Sequence, residues 1–260
     1  MLEPRPSSAL VVLPSPDPGG SGGSERRRSA PWKWQLANAV RSASELSARV
    51  QLTPEELAGA ERSERQGFPF GITPYYLSLV DPLDAACPIR RQVVPHRLEG
   101  ETTRGDLVDP LGEEAHEVAP DLVQRYPDRA LVLATDRCAV YCRFCTRSRM
   151  VGGGSGTRSL EHLGPAFDYL AAHPEIRDVI VSGGDPLTLA TERLVQVVAG
   201  LRAIESIETI RLATRVPVVL PQRITGELLR ALAPLHPLWV MTHFNHPKEL
   251  TPIACRGLER

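Results

Sequence analysis

The sequence predicts an α/β fold in which a mainly helical N-terminal region precedes a parallel sheet. Two observations predict this class. After Pro127, short apolar runs that suit buried parallel strands alternate with stretches of helical apolar spacing. Before Pro127, helical apolar spacing gives way to stretches that are repeatedly broken by proline. Strands separated by helices favour right-handed crossovers, as in a barrel or a doubly wound sheet.

Three regions are expected along the chain. Residues 1–30 are rich in Pro, Gly and Ser and bury too little apolar surface to order, so they predict a disordered tail. Residues 31–125 predict a helical and irregular region, in which Thr53 and Pro54 begin a helix. Residues 126–260 hold the alternating strands and helices.

The third region is expected to contain four strands and three helices. The strands are predicted at 130–135, 178–182, 209–214 and 238–242. One helix begins near Ser159, one carries Leu194 and Leu201, and one is capped by Thr225. Functional residues are expected where the strands end, because the carboxyl ends of parallel strands meet at one edge of the sheet.

Composition excludes several classes of protein. The chain carries 30 basic and 31 acidic side chains, so neither a nucleic acid nor a membrane surface is expected as a partner. Five cysteines in 260 residues do not make a secreted disulfide framework. The short apolar run at 9–13 fits neither a signal peptide nor a membrane span. We therefore expect a cytoplasmic protein.

Three cysteines follow the first predicted strand of the third region. Cys138, Cys142 and Cys145 have the spacing C-x₃-C-x₂-C. Three thiolates on one loop can bind three irons of a [4Fe–4S] cluster and leave the fourth iron open to an added ligand. The alternatives are a structural zinc site, with His162 as a candidate fourth ligand, and three thiols that bind nothing.

Six further motifs surround these cysteines or contain them. They are GITPYYLSLVDP at 71–82, RYPDR at 125–129, CRFCTR at 142–147, SGGDPL at 182–187, TRVPVVLPQRIT at 214–225 and THFNHP at 242–247. Together they resemble the lysine 2,3-aminomutase family of radical S-adenosylmethionine (SAM) enzymes, and the resemblance covers residues 32–255 in order. It implies a partial (β/α) radical SAM barrel of about four βα units, with a [4Fe–4S] cluster, SAM and pyridoxal 5′-phosphate as cofactors.

The resemblance also implies roles for individual residues beyond the cysteines. Chemistry alone favours an ordinary turn for the SGGD segment (182–185) and a structural role for His243, and it is even between a ligand contact and an ordinary surface role for the others. The implied contacts are Ser182, Gly183, Gly184, Asp185, Arg215 and His243 for SAM, Tyr126 and Arg129 for the phosphate of pyridoxal phosphate, and Arg147 for the α-carboxylate of the substrate.

The implied activity is that of a radical isomerase, which moves an amino group from C2 to C3 of a small amino acid. L-lysine is the first candidate substrate and glutamate the second, an electron donor would reduce the cluster, and a homo-oligomer is one option.

Family members continue beyond the last motif, to a lysine that forms a Schiff base with pyridoxal phosphate. This chain has only Lys33 and Lys248. We therefore expect a truncated aminomutase whose sheet ends in an unpaired edge. The alternatives are a cluster- and SAM-binding protein with other radical chemistry, and a non-catalytic remnant or subunit that lacks the pyridoxal phosphate site.

Overall fold

The computed structural model describes residues 31–153 and 156–260. The predicted tail at 1–30 lies outside the described residues. The α-helices in the described ranges are α1 (Pro31–Ala37), α2 (Ala43–Ser47), α3 (Pro54–Arg65), α4 (Pro74–Leu77), α5 (Arg90–Val93), α6 (Leu160–Ala172), α7 (Thr191–Arg202), α8 (Val216–Val219), α9 (Gly226–Leu232) and α10 (Pro252–Leu258). The strands are β1 (Glu117–Ala119), β2 (Leu122–Tyr126), β3 (Arg129–Thr135), β4 (Asp178–Gly183), β5 (Thr209–Ala213) and β6 (Leu238–Met241).

The strands form one six-stranded sheet in the order β1-β2-β3-β4-β5-β6. Strands β3 to β6 pair in parallel, and helices α6 to α9 fill the connections between them. The predicted α/β class and the four predicted strands are confirmed, each strand within one residue of its expected bounds. In the described part of the chain β6 pairs with β5 alone, and Trp239 on it is 61% exposed.

Two strands lie in a stretch that was expected to be irregular. Strands β1 and β2 precede β3 and pair in antiparallel fashion, and Tyr126 of β2 lies opposite Arg129 of β3 across a tight turn. In β2 only Leu122 and Val123 are buried. Strands of three and five residues are too short to show a clear alternation of apolar and polar residues, so the sequence pattern missed them.

Helices α6 and α7 cover the parallel part of the sheet with apolar faces. The hydroxyl of Ser159 accepts a hydrogen bond from the His162 N–H at 2.9 Å, which confirms the predicted start of α6. Spacings of three and four residues place the apolar side chains of each helix on one face. The buried apolar residues are Leu163, Ala166 and Leu170 in α6, and Leu194, Val197, Val198 and Leu201 in α7.

A buried ion pair joins two helices of the N-terminal region. Thr53 caps α3 in a reciprocal capping box with Glu56, as the sequence predicts. The Glu56 carboxylate also accepts from Arg90 Nε at 2.8 Å, and the Arg90 side chain is fully buried. Burial alone would raise the pKa of Glu56, but Arg90 and the Thr53 N–H outweigh it and hold the pKa below its usual value.

No helix in the described ranges is both long enough and apolar enough to cross a bilayer. The expected cytoplasmic location stays a prediction.

Replacing Glu56 with Gln removes the counter-charge of a buried arginine. We expect Glu56→Gln to lower the free energy of unfolding at pH 7 by about 3–5 kcal/mol in urea titrations. Because the folded-state pKa of Glu56 is lowered, its contribution is present above the unfolded pKa and is lost as the pH falls through the folded pKa. Glu55→Gln, an exposed change on the same helix, is the control. A wild-type advantage that persists at acid pH would contradict this account.

Candidate functional site

The loop that carries the three cysteines leaves the carboxyl end of β3 and is held from the N-terminal region. The Tyr141 N–H donates to the Gly71 carbonyl at 3.2 Å, and the Arg143 N–H donates to the Gln92 carbonyl at 2.8 Å. The Arg143 side chain reaches the Glu99 carboxylate from Nε at 3.0 Å. Residues before the sheet therefore fix the shape of this loop, here called the cysteine loop (residues 136–147).

All three thiols are half-buried and close enough to affect one another. Burial raises the pKa of Cys138 well above its usual value, and the negative charges of Asp185, Cys142 and Cys145 raise it further. Burial also raises the pKa values of Cys142 and Cys145, although the Arg215 guanidinium opposes this effect at Cys142. Each thiol must therefore release its proton when it binds iron.

The candidate fourth zinc ligand, His162, pairs with a carboxylate. In the described ranges, no three His, Cys, Asp or Glu side chains are grouped to hold a single metal ion. His162, the candidate fourth zinc ligand, is engaged elsewhere, with Nε2 at 2.6 Å from Asp121 Oδ2. A [4Fe–4S] cluster takes each thiolate on a different iron, so its cysteine sulfurs do not converge on one point.

Gly183 ends β4 and Gly184 follows it, and both glycines pack against the cysteine loop. Gly183 has a φ of +111°, which favours glycine, and a Cβ at this position would overlap the carbonyl oxygen of Thr135. A Cβ on Gly184 would overlap the carbonyl oxygen of Arg137. The Gly184 N–H donates to the Thr135 carbonyl at 2.6 Å. The absence of a side chain at both positions therefore lets the backbone of the cysteine loop approach closely. The SAM contacts that the resemblance implies for these two glycines stay predictions.

Asp185 links the ends of β4 and β5. Its buried carboxylate accepts from Thr214 Oγ1 at 2.6 Å, from the Arg215 N–H at 2.7 Å and from the Leu187 N–H at 3.0 Å. Burial raises its pKa above the usual value in spite of these bonds. Both carboxylate oxygens accept hydrogen bonds within the protein, and the bond from the Arg215 N–H fixes the backbone at Arg215. The SAM contact implied for Asp185 stays a prediction.

Arg215 lies at the centre of a buried polar network that sequence reasoning missed. Its Nη1 donates to Cys142 Sγ at 2.8 Å. Its Nη2 donates to the Tyr76 hydroxyl at 3.0 Å, to Glu249 Oε1 at 2.7 Å and to Gln92 Oε1. Tyr76 lies in the quoted motif at 71–82, but no spacing in the sequence connects it, Gln92 or Glu249 to Arg215.

Glu249 carries the negative charge of this network. Burial would raise the pKa of its carboxyl group, but hydrogen bonds from the Tyr76 hydroxyl and the Asn245 N–H, together with the Arg215 charge, hold the pKa below its usual value. The buried guanidinium therefore has a buried carboxylate as its partner.

The remaining residues implied for SAM lie beside different residues of the cysteine loop. His243 is exposed, and its ring centroid is 6.4 Å from that of Phe144, between the last two cysteines. Partial desolvation and then the Arg215 charge lower the pKa of His243. Ser182 lies instead beside Arg147, whose Nη1 donates to Ser182 Oγ at 3.4 Å.

A solvent-open cleft at strands β2 and β3, here called the β2–β3 cleft, brings together the three residues implied for pyridoxal phosphate and substrate. Tyr126, Arg129 and Arg147 all line it, and Glu113 is a further lining residue. Arg129 donates from Nε to Asp178 Oδ2 at 2.7 Å and is 39% exposed at its side chain. Sequence reasoning missed the buried Glu113, which accepts from Arg147 Nε at 2.8 Å and pairs with Nη2 at 2.7 Å.

Comparison with known proteins gives the same family. The Radical SAM superfamily model matches residues 132–258. The L-lysine 2,3-aminomutase of Clostridium subterminale is 44% identical over 228 residues, which are 88% of this chain and 55% of the relative. That of Bacillus subtilis is 43% identical over 230 residues, 88% of this chain and 48% of the relative.

The glutamate 2,3-aminomutase of Clostridioides difficile is 41% identical over 229 residues, 88% of this chain and 54% of the relative. The chain belongs to the lysine 2,3-aminomutase family of the radical SAM superfamily. It spans about half the length of the curated relatives it matches.

Most of the residues implied for the cluster and SAM lie at one edge of the sheet. The cysteine loop, Arg215 and His243 follow the carboxyl ends of parallel strands, and the SGGD segment (182–185) spans the carboxyl end of β4. Tyr126, implied for the pyridoxal phosphate, lies on the antiparallel side of the sheet, at the end of β2. The individual ligand roles stay predictions.

Replacing Gly184 with Ala tests the contact between the SGGD segment and the cysteine loop. We expect Gly184→Ala to lower the free energy of unfolding by about 1–3 kcal/mol and to reduce iron uptake, because its Cβ would displace the Arg137 backbone. Gly164→Ala is the matched control, since a Cβ there meets nothing within 4 Å and helix α6 gains stability. Urea unfolding and iron content after anaerobic reconstitution measure both effects. Equal behaviour of the two variants would contradict this role.

Proposed function

We propose that this chain holds a [4Fe–4S] cluster through Cys138, Cys142 and Cys145 and binds SAM beside it, as the radical-generating part of a 2,3-aminomutase. One observation carries the proposal: three half-buried thiols share one loop at the carboxyl edge of a parallel sheet. Three thiolates leave one iron of such a cluster open to an added ligand.

A buried donor without a partner supports the binding of a carboxylate beside the cluster. Arg215 is 8% exposed, and its Nε has no hydrogen-bond partner among the described residues. A buried N–H without an acceptor costs free energy, which a ligand carboxylate would recover. SAM carries a carboxylate on its methionyl part. His243, exposed near Phe144, is the other side chain proposed to contact it.

The β2–β3 cleft supports the binding of a phosphate and an amino acid carboxylate. Tyr126 supplies a hydroxyl and Arg129 a guanidinium. Within the described part of the chain, the Arg129 side chain donates only through Nε, which leaves its Nη groups for a ligand. Glu113 occupies the Nε and Nη2 edge of Arg147, so N–H groups remain at both Nη atoms for a carboxylate. Lys33 and Lys248 do not line the cleft. The described residues that line it can therefore bind anions but supply no lysine amine.

The residues of this chain would bind and orient the reactants. When bound, the cofactors supply the radical and carbonyl chemistry that moves an amino group from C2 to C3 of an amino acid. Arg147 would fix the α-carboxylate, and Tyr126 with Arg129 would fix the cofactor phosphate, so that C2 and C3 are held in place. We propose L-lysine as the substrate, because L-lysine 2,3-aminomutases dominate the relatives, with glutamate as the second candidate.

Loss of one cluster cysteine is expected to abolish SAM cleavage. The chain, reconstituted anaerobically with iron and sulfide, should release 5′-deoxyadenosine from SAM when dithionite supplies electrons. Cys142→Ala should form less cluster and reduce this release at least a hundredfold, because a missing thiolate leaves an iron unanchored. Cys255→Ala, a change outside the loop, should retain it. A reconstituted wild-type chain that releases no 5′-deoxyadenosine would contradict the proposed radical function.

Loss of the Arg129 guanidinium is expected to weaken pyridoxal phosphate binding. Equilibrium dialysis should give about tenfold weaker binding for Arg129→Gln, because one charge-assisted hydrogen bond to the phosphate is lost. Arg211→Gln is the matched control, since Arg211 binds the same Asp178 carboxylate at 2.9 Å and lies outside the cleft lining. If both changes weaken pyridoxal phosphate binding equally, the loss would come from the disturbed Asp178 carboxylate and not from a direct contact of Arg129 with the phosphate. No binding by the wild-type chain would favour radical chemistry without pyridoxal phosphate.

A further inference from the structure

The Arg215 guanidinium makes a direct contact with one of the cluster cysteines. Its Nη1 lies 2.8 Å from Cys142 Sγ, and the residue is 8% exposed. A cation in a site with little water interacts strongly with a neighbouring thiolate, because solvent does not screen the two charges. The contact therefore has an electrostatic consequence for whatever the thiolate binds.

The guanidinium is held in place from the side opposite the sulfur. Glu249 Oε1 accepts from Nη2 at 2.7 Å and also from the Tyr76 hydroxyl at 2.5 Å, and both Glu249 and Tyr76 are fully buried. Asn245 donates its N–H to Glu249 Oε2 at 2.6 Å and its side-chain amide to Gln92 Oε1 at 3.0 Å. Every acceptor on Nη2 is thus itself fixed by a second bond or by burial, which leaves Nη1 directed at the sulfur.

We propose that Arg215 donates to the Cys142 thiolate of the bound cluster and makes that cluster easier to reduce, with Glu249 as the residue that positions it. The inference rests on the proposed assignment of the cluster to Cys138, Cys142 and Cys145. Reduction adds one electron, and so one negative charge, that the cluster shares with its thiolates. A cation bonded to a thiolate stabilises the reduced form more than the oxidised form.

The opposing charge of Glu249 does not cancel this effect. Its carboxylate binds Nη2, whereas the sulfur binds Nη1, so the cation stands between the carboxylate and the thiolate. The positive end of the ion pair is therefore the end that faces the cluster.

The first experiment is a redox titration of the reconstituted full chain, followed by electron paramagnetic resonance. Arg215→Gln removes the cation, and we expect at least a tenfold smaller equilibrium constant for reduction, which is a potential about 59 mV more negative. Arg215→Lys keeps the positive charge but lacks the forked donors of the guanidinium, so its potential should lie between those of the wild type and Arg215→Gln. Arg211→Gln removes an equal charge from β5, the strand that precedes Arg215, where the guanidinium binds Asp178 and not a cysteine, and should shift the constant less than twofold.

A double-mutant cycle tests the positioning role of Glu249. If Glu249 acts through Arg215, the effect of Glu249→Gln on the potential should differ between the wild-type and the Arg215→Gln backgrounds. Equal shifts in both backgrounds would show that Glu249 acts only as a distant charge, which would overturn its positioning role.

A measurement on the wild-type chain covers the case in which an Arg215 variant fails to fold. Resonance Raman spectra of the cluster should show a shift of an iron–cysteine stretching band on exchange into D₂O, because the N–H that binds the thiolate becomes N–D. No shift, or an unchanged potential in Arg215→Gln, would overturn this inference and leave the cluster assignment intact. A wild-type chain that assembles no cluster would instead overturn the proposed function and this inference together.

Discussion

Parallel pairing of β3 to β6 brings the candidate site together. Parallel strands end at the same edge of a sheet, so segments far apart in the chain meet there. Thr135 at the end of β3 pairs with Gly183 at the end of β4, and Val181 pairs with Leu212 in β5. This register places the cysteine loop, the SGGD segment and Arg215 side by side. A register shift of one residue would move the side chains of a strand to the opposite face of the sheet and separate these segments.

The N-terminal region is a structural part of the site. The Radical SAM superfamily model begins at residue 132, but the similarity to the aminomutases covers 88% of the chain. Backbone groups of Gly71 and Gln92 hold the cysteine loop, and the Tyr76 hydroxyl binds both Arg215 and Glu249. The loop therefore packs between this region and the sheet, so both are needed to define the positions of its thiols.

Buried arginines connect separate segments of the fold. Arg223 is buried and donates to the Leu187 and Leu189 carbonyls and to the Thr191 hydroxyl, at 3.0 to 3.2 Å. These bonds hold the segment that follows Asp185. A guanidinium can reach several acceptors in one plane, whereas a lysine ammonium is a single point of charge. Arg90 in the N-terminal region and Arg215 at the cysteine loop serve in the same way.

The sequence by itself determined the features that depend on near neighbours. The cysteine spacing, the helix starts at Thr53, Ser159 and Thr225, and the buried parallel strands all follow from residues within a few positions of one another. Family motifs then identified the residues around the cysteines. These local patterns were sufficient for the fold class and for the family.

Only the tertiary structure decided which groups those residues contact. Arg215 meets Tyr76 across 139 positions of the chain, and Asp185 binds the end of β5 with no spacing in the sequence to show it. Glu113 reaches Arg147 only because the turn that holds it lies beside the sheet. Packing brings together side chains that are far apart in the chain, and burial removes water as an alternative hydrogen-bond partner. Neither effect can be predicted from residues that are neighbours in the sequence.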